Sequence, residues 1–401
     1  MSILDRFFGR ATVQLPNDNT IDGFFQTFGV TSLAGISVTP EKAQQYAAVT
    51  ACINVISETT GQVSLDVYKY TKDGKELAPE HPNYKLLHSN PNGLMTSTVF
   101  HRAMAFSVLT QGNAYARIHR DTSMNITELE LLNPYEVEVL LSNNKKKVYY
   151  KLEGKKTPLQ SYEVIHIKGM TREGLVGISP LRQHADTLGL GLAEQEFASK
   201  FFANGATLSG VITKPGAMKI EQMERLGKSW KRTFSSVSKS HKTAILDDGM
   251  DYKQIGANAE QAQLLESRKF SVTEIARIYR VPPHMIGDLS QSTNNNIEHQ
   301  GLEFSKYTMI PYFRAFEQEY NTKLFKESEK EIYFCRFNVE SLQRGDSAAR
   351  TAMYVQGIQN GWLSPNEVRQ MEGFNKREGG DIYLTPLNMT TNPEEDGEES
   401  N

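Results

Sequence analysis

Through the first half of the chain, apolar positions alternate with polar ones; through the second half they recur at helical spacing. GNAYARIHR, ELELL, EVEVLL, KVYYKL and EVIHIK, with turn residues between them, predict strands. VSLDVYKY predicts an earlier one, closed by a Lys72-Asp73-Gly74-Lys75 turn. Ahead of it, Thr39-Pro40-Glu41 opens a helix, with a capping side chain, a proline suited to the first helical position and an acid in the first turn. That helix carries Val49, Cys52, Ile53, Val55 and Ile56 on one side and ends near Gly61. HPNYKLLHSNPNGLMT reads as a short helix and a turn, followed by a helix over 97–110. The fold class expected is α+β with a strand-rich centre.

From Gly177 the helical period takes over. One long helix is expected over 179–203, with Ser179 as cap, Pro180 at the first position and Asn204-Gly205 at the end. Two strands with a helix between them follow in LSGVITKPG, MKIEQMERLGKSWKRTF and KTAILDDGMDYKQIG. A second long helix spans 258–279, stopped by Pro282-Pro283, and a third spans 297–325, kinked near Pro311. Residues 341–375 read as helical with turns at Gly361 and Gly373; residues 1–40 read as an extended arm. The tail PEEDGEES, five acids and no base, is expected to be disordered. Gly189 and Gly191 fall inside the first long helix, where glycine costs about 1 kcal/mol relative to alanine. Phe197 and Phe201 share one helix face and read as core, with Phe202 beside them.

Composition narrows the class. The chain has 401 residues, 39% hydrophobic and 23% charged, with net charge −3, which singles out neither a nucleic-acid nor a membrane binder. Cys52 and Cys335 have no disulfide or zinc spacing and suit a reducing compartment. MSILDRFFGR is broken by Asp5 and Arg6 and does not read as a signal peptide; no apolar run approaches the roughly 20 residues that span a bilayer. A soluble protein made inside the cell is expected. Charge is nevertheless uneven. Residues 214–242 hold eight bases and two acids, whereas Val281 to Ser305 holds no Lys or Arg at all.

Catalytic signatures are missing. Gly227-Lys228-Ser229 lacks the upstream glycine of a phosphate loop, since position 222 is Gln, and Glu194 spoils the dinucleotide pattern of Gly189 and Gly191. There is no HExxH, CxxC or GxSxG. His166 reads as a strand residue, His284 as a packed loop histidine, and Asp247-Asp248-Gly249 as a turn. No cofactor and no metal are called for. The enzymatic alternative is a hydrolase or nuclease assembled from scattered residues such as His166, His284 and Asp288.

Several stretches carry a family resemblance in order: ACINVISETTGQVSLDVY, LLHSNPNGLMTSTVF, LTQGNAYARIHR with LLNPYEVEV, EVIHIKG, GLVGISPLRQHADTL, FFANGATLSGVIT, IARIYRVPPHMIGD, FSKYTMIPYFRAFEQEYNTKLF, and GWLSPNEVRQMEGF with GGDIYLTPLN. Across roughly 45–388 the chain resembles the portal proteins of tailed bacteriophages, the HK97-like portal family. The resemblance implies a structural protein, not an enzyme: a ring of twelve copies at one capsid vertex that nucleates capsid assembly. Double-stranded DNA would pass through its channel during packaging and ejection. The plan it implies has an N-terminal arm (1–40), a strand-rich wing (41–178), stem helices (179–204 and 258–280) and a small α/β clip (205–257). A tunnel loop (281–300), a long helix with wing return (301–340) and a helical crown with an acidic tail (341–401) complete it.

Implied partners are other copies of the chain, the terminase large subunit, head-completion or adaptor proteins, and the major capsid and scaffold proteins. DNA would pass without sequence specificity, and no membrane is involved. The implied location is the virion, with the host cytoplasm during assembly. On this plan Gln291, Ser292, Thr293, Asn294, Asn295 and Asn296 would face the channel. Their amides and hydroxyls bond phosphates weakly and carry no sequence information. Lysines there would trap phosphates, while Asp288 and Glu298 would keep DNA centred. Lys228, Lys231, Arg232, Lys239 and Lys242 would steer an acidic partner onto the clip; the plainer reading is a solvated helix face. Gly189 and Gly191 would allow neighbouring subunits to approach closely, or simply mark a kink.

Overall fold

The computed structural model describes residues 13–14, 29–72, 74–203, 210–213, 215–216, 219–234, 249–254, 258–290, 294–339, 342 and 347–384. They belong to two units, Met1–Asn338 and Val339–Asn401. In the first, short strands β1 (Val13–Gln14), β2 (Val30–Thr31) and β3 (Ser37–Val38) precede helices α1 (Pro40–Gln45) and α2 (Ala47–Gln62). Thr39 caps α1 as its sequence requires, accepting from Lys42 N at 3.2 Å. The single helix expected here is two, because Tyr46 is extended (φ −79°, ψ 113°) and buries its ring.

Strands β4 (Leu65–Thr71) and β5 (Gly74–Leu77) form a hairpin, with Gly74 at φ 140° in its turn. Helices α3 (Pro82–His88) and α4 (Ser97–Gln111) lead into β6 (Asn113–Arg120) and β7 (Ile126–Leu132). The sheets continue with β8 (Val137–Leu141), β9 (Val148–Leu152), β10 (Leu159–Gln160) and β11 (Val164–Lys168). The alternating stretches are thus strands, grouped into antiparallel sheets β1-β8-β9-β10 and β11-β6-β7. Tyr115, Val137, Val139, Leu141, Tyr150 and Val164 form the core between them.

Ser179 caps α5 (Pro180–Gln183) and also donates to Thr110 O at 2.7 Å, fixing this helix to the end of α4. The long helix expected over 179–203 bends at His184 (φ −109°, ψ 27°) before α6 (Ala185–Ala203). The first turn answers to its tie with α4 and to buried Leu181, while α6 packs elsewhere. Next come β12 (Gly210–Thr213), α7 (Ile220–Phe234), β13 (Asp251–Gln254, paired with β12) and α8 (Asn258–Tyr279).

Helix α9 (Asn294–Glu303) runs through a π-helical segment, Phe304–Met309, into α10 (Ile310–Lys323). The kink expected near Pro311 takes this form. Proline has no N–H for the preceding turn, and ahead of it Ile310 N donates five residues back, to Ser305 O. Strand β14 (Tyr333–Phe337) returns to the first hairpin and pairs with β4, Cys335 opposite Val67. Phe313, Phe316, Tyr320 and Phe337 pack with His101 into an aromatic core. The second unit contains α11 (Ser347–Gln359) and α12 (Pro365–Met371), with Gly361 and Gly373 at φ 73° and 76° in the expected turns. The acidic tail lies outside the described residues.

Candidate channel and docking site

Two long helices, α6 and α8, pack against each other around one buried carboxylate. Glu194, 8% exposed, accepts from Ser271 Oγ at 2.8 Å and from Ser267 Oγ one turn away. Burial, and then the Glu194 charge, push the nearby Tyr46 hydroxyl up. Gly189 and Gly191 are explained within one chain: a Cβ at 189 would collide with Ser32 of the β2–β3 hairpin, and one at 191 would press on the Tyr46 ring at 3.1 Å. Neither a kink nor a neighbouring copy is needed to account for them. Phe197 is 60% exposed on α6 and Phe270 60% exposed on α8, so Phe197 is not core as its spacing suggested; the Phe201 and Phe202 side chains lie outside the described residues.

Helix α8 ends in a double backbone lock. Arg280 takes left-handed φ (53°), its N–H donates to Arg277 O at 3.2 Å, and Val281 N donates to Ala276 O at 2.9 Å. Glycine usually fills this position; here Thr308 Oγ1, in the π segment, donates to Arg280 O at 2.7 Å. Pro283–Ile286 then form a 3-10 turn closed by Gly287 at φ 87°. His284 Nδ1 meets Gln300 Oε1 at 2.7 Å, tying that turn to α9. Hydrogen bonds from the Ser290 side chain and from Ser290 N, the latter at 3.0 Å, hold the Asp288 carboxyl below the usual range.

Between these anchors the base-free stretch is shorter as a loop than expected. Asn294, Asn295 and Asn296 form the first turn of α9, and Asn296 is exposed; Gln291, Ser292 and Thr293 lie outside the described residues. Asparagine suits a helix start, where its side-chain oxygen can serve backbone N–H groups that lack partners. The third helix therefore begins at 294, not 297. The Glu298 side chain lies outside the described residues.

On α7, Lys228 is exposed, 4.0 Å from Glu224 across one helical turn. Lys231 and Arg232 belong to the same helix, but their side chains, and Lys239 and Lys242 entirely, lie outside the described residues. Sequence reasoning missed the opposite feature of this helix: Ile220 is 72% and Met223 53% exposed, with half-buried Leu226 one turn on. Spacing of three residues places these apolar side chains along one side, and that signal was legible in the sequence.

Among the described residues, those named for the enzymatic alternative have separate partners. His166 is buried in β11, its Nε2 donating to Asn113 Oδ1 at 3.0 Å and its Nδ1 accepting from Tyr150 OH at 3.2 Å. Burial, then Lys168 and Lys323, depress its pKa well below the ordinary value, so it is a neutral packing residue. His284 and Asp288 have the separate partners described above. Among the described residues no cluster of His, Cys, Asp and Glu could hold a metal ion, and no helix is long and apolar enough to cross a membrane.

Comparison with known proteins gives a consistent result. The family model for the phage portal protein matches residues 47–373. The chain is 32% identical over 385 residues to a probable portal protein of Streptomyces phage phiC31, covering 92% of this chain and 83% of that one. It is 29% identical over 402 residues to the portal protein of Enterobacteria phage HK97, covering 98% and 94%. An HK97-family phage portal protein from Corynebacterium diphtheriae superposes with a TM-score of 0.55 at 16% identity, over 80% of this chain and 99% of the other. A chain of a native gene transfer agent virion gives a TM-score of 0.61 at 19% identity, over 93% and 98%. With the ordered motifs, the α+β fold and this match over most of its length, the chain belongs to the phage portal protein family.

Proposed function

We propose that twelve copies of this chain form a ring at one capsid vertex, whose channel carries double-stranded DNA into the capsid during packaging and out again at ejection. The observation that carries this reading is the family match over 47–373, joined to a segment from Val281 to Ser305 that lacks any Lys or Arg. In such a ring each side chain facing the channel is repeated around it, so one lysine per subunit would become a phosphate trap. Gln291, Ser292, Thr293 and the exposed Asn296 present polar groups without that charge, with Asn294 and Asn295 beside them. Asp288 and Glu298 add repulsion that centres the duplex.

The domain plan follows: wing, two stem helices with the clip between them, tunnel segment, wing return and crown, in the order read from the sequence. Portal proteins are structural, and ATP hydrolysis is assigned to the terminase large subunit docking on the clip through Lys228, Lys231, Arg232, Lys239 and Lys242. Head-completion proteins would use the same face later, and capsid and scaffold proteins the outer rim. Exposed Phe197, Phe270, Ile220 and Met223 are suited to contacts between copies. Light scattering with negative-stain images of the purified chain tests this. A ring with a hole wide enough for a duplex is expected; a compact monomer at high concentration, in the presence of capsid protein as well, would overturn it.

A further inference from the structure

A cleft of about 290 Å³ opens in the wing between the start of α3, the β6–β7 turn and the loop after α10. Its charged lining is unbalanced. Lys323 and Lys330 line it, but each has its own carboxylate, Glu319 and Glu327 respectively. Among the described residues Arg120 and Lys326 form no ion pair, although Glu163 acts on Arg120 and Asp121 on Lys326 from farther off. The half-buried Arg120 donates to Tyr162 O at 3.0 Å and to Lys323 O at 2.8 Å, which engages two of its guanidinium donors with neutral carbonyls. Lys326 Nζ donates to Asn125 Oδ1 at 2.9 Å, again a neutral acceptor. Burial lowers the pKa of Arg120, outweighing the nearby Glu163 and Tyr162, which raise it.

His81 supplies the independent observation. It is 9% exposed and lines the cleft, and its Nδ1 accepts from Asn83 N at 3.1 Å. The neutral ring therefore carries its proton on Nε2, which is buried without a hydrogen-bond partner among the described residues. The nearest carboxylate oxygen, on Glu329, is 4.0 Å away, beyond hydrogen-bond reach, and that carboxylate accepts from Lys326 N at 3.0 Å. Glu329 offsets one positive charge of the lining and leaves the buried N–H unmet.

We propose that this cleft is a binding site for a small oxyanion of the phosphate or carboxylate class, accepting from Arg120, Lys326 and His81 Nε2. The volume lies at the lower end of small-molecule sites, which suits a compact anion. Charge-assisted bonds from two cations, with a neutral N–H between anion and wall, give the lining the partner it lacks.

The test is calorimetric titration of the intact chain with inorganic phosphate, and separately with acetate, at constant ionic strength set by chloride. Saturable binding of either is expected, and the preferred arm identifies the anion class. Lys326→Gln, which keeps a partner for Asn125, should weaken it by about tenfold. Arg120→Gln should abolish it, provided circular dichroism shows an intact fold. Lys146→Gln in the exposed β8–β9 turn should leave it unchanged. Saturable binding that Lys326→Gln leaves intact would overturn the proposal, as would linear heats in both arms or equal losses in Lys146→Gln.

Discussion

The Thr308 hydroxyl donates to the Arg280 carbonyl at 2.7 Å, across the base of the segment that joins α8 to α9. Thr308 belongs to the π segment that precedes Pro311, and Arg280 occupies the left-handed position ending α8. Two local irregularities, one at each base of the segment, are thus locked together. Thr308→Val keeps the shape and removes the bond; it should cost about 1 kcal/mol of stability by denaturant unfolding, because a partly buried hydrogen bond is lost. Arg280→Val should cost at least as much, since a β-branched residue resists positive φ.

Gly189 and Gly301 make a paired test of why glycine stands in a helix. Gly301→Ala meets nothing within 4 Å among the described residues and should stabilise the chain by up to about 1 kcal/mol through helix propensity. Gly189→Ala gains the same propensity but drives its Cβ into Ser32. It should lower the melting temperature and expose residues 29–38 to limited proteolysis.

Acid should loosen the first unit through His101. Its ring is buried among Phe100, Phe316, Tyr320 and Phe337, and burial pulls its pKa down to about 4 from 6.5. The unfolded chain then binds the proton more tightly than the folded one. The contribution is complete above pH 6.5 and is lost as pH falls toward about 4, at up to about 1.4 kcal/mol per pH unit. His101→Phe suits the aromatic surroundings and should flatten this part of the stability profile, leaving the parallel contribution of His166 in place.

Exposed aromatics on the long helices should matter for assembly more than for folding. Phe197→Ser with Phe270→Ser removes side chains that are each 60% exposed, so the melting point of unassembled protein should shift little. The particle mass by light scattering should fall instead. An unchanged ring with a lower melting point would place these residues in folding.

Charge on α7 should govern capture of the packaging motor. Reversal of Lys228, Lys231 and Arg232 to glutamate should slow terminase association and steepen with falling salt, since steering acts mainly on the association rate. Undiminished association at low salt would remove the docking role from this helix.

Sequence alone determined the features that depend on neighbours a few residues away. Thr39-Pro40 and Ser179-Pro180 start helices because a side-chain oxygen and a missing N–H act within one turn. The strands β6 to β11 follow from period-two alternation, and the order of the quoted stretches carried the family. The tertiary structure alone decided what each buried face packs against. Periodicity placed Phe197 and Phe201 on one face, yet could not say whether anything covers it, and Phe197 is exposed. Gly189 is glycine because Ser32 arrives from a distant hairpin. β14 completes a sheet begun by β4 much earlier in the chain. Arg280 tolerates a glycine's conformation because Thr308, 28 residues further along, holds its carbonyl. Local propensity is set by the chain's own backbone, whereas these contacts exist only once distant segments have paid the entropy of meeting.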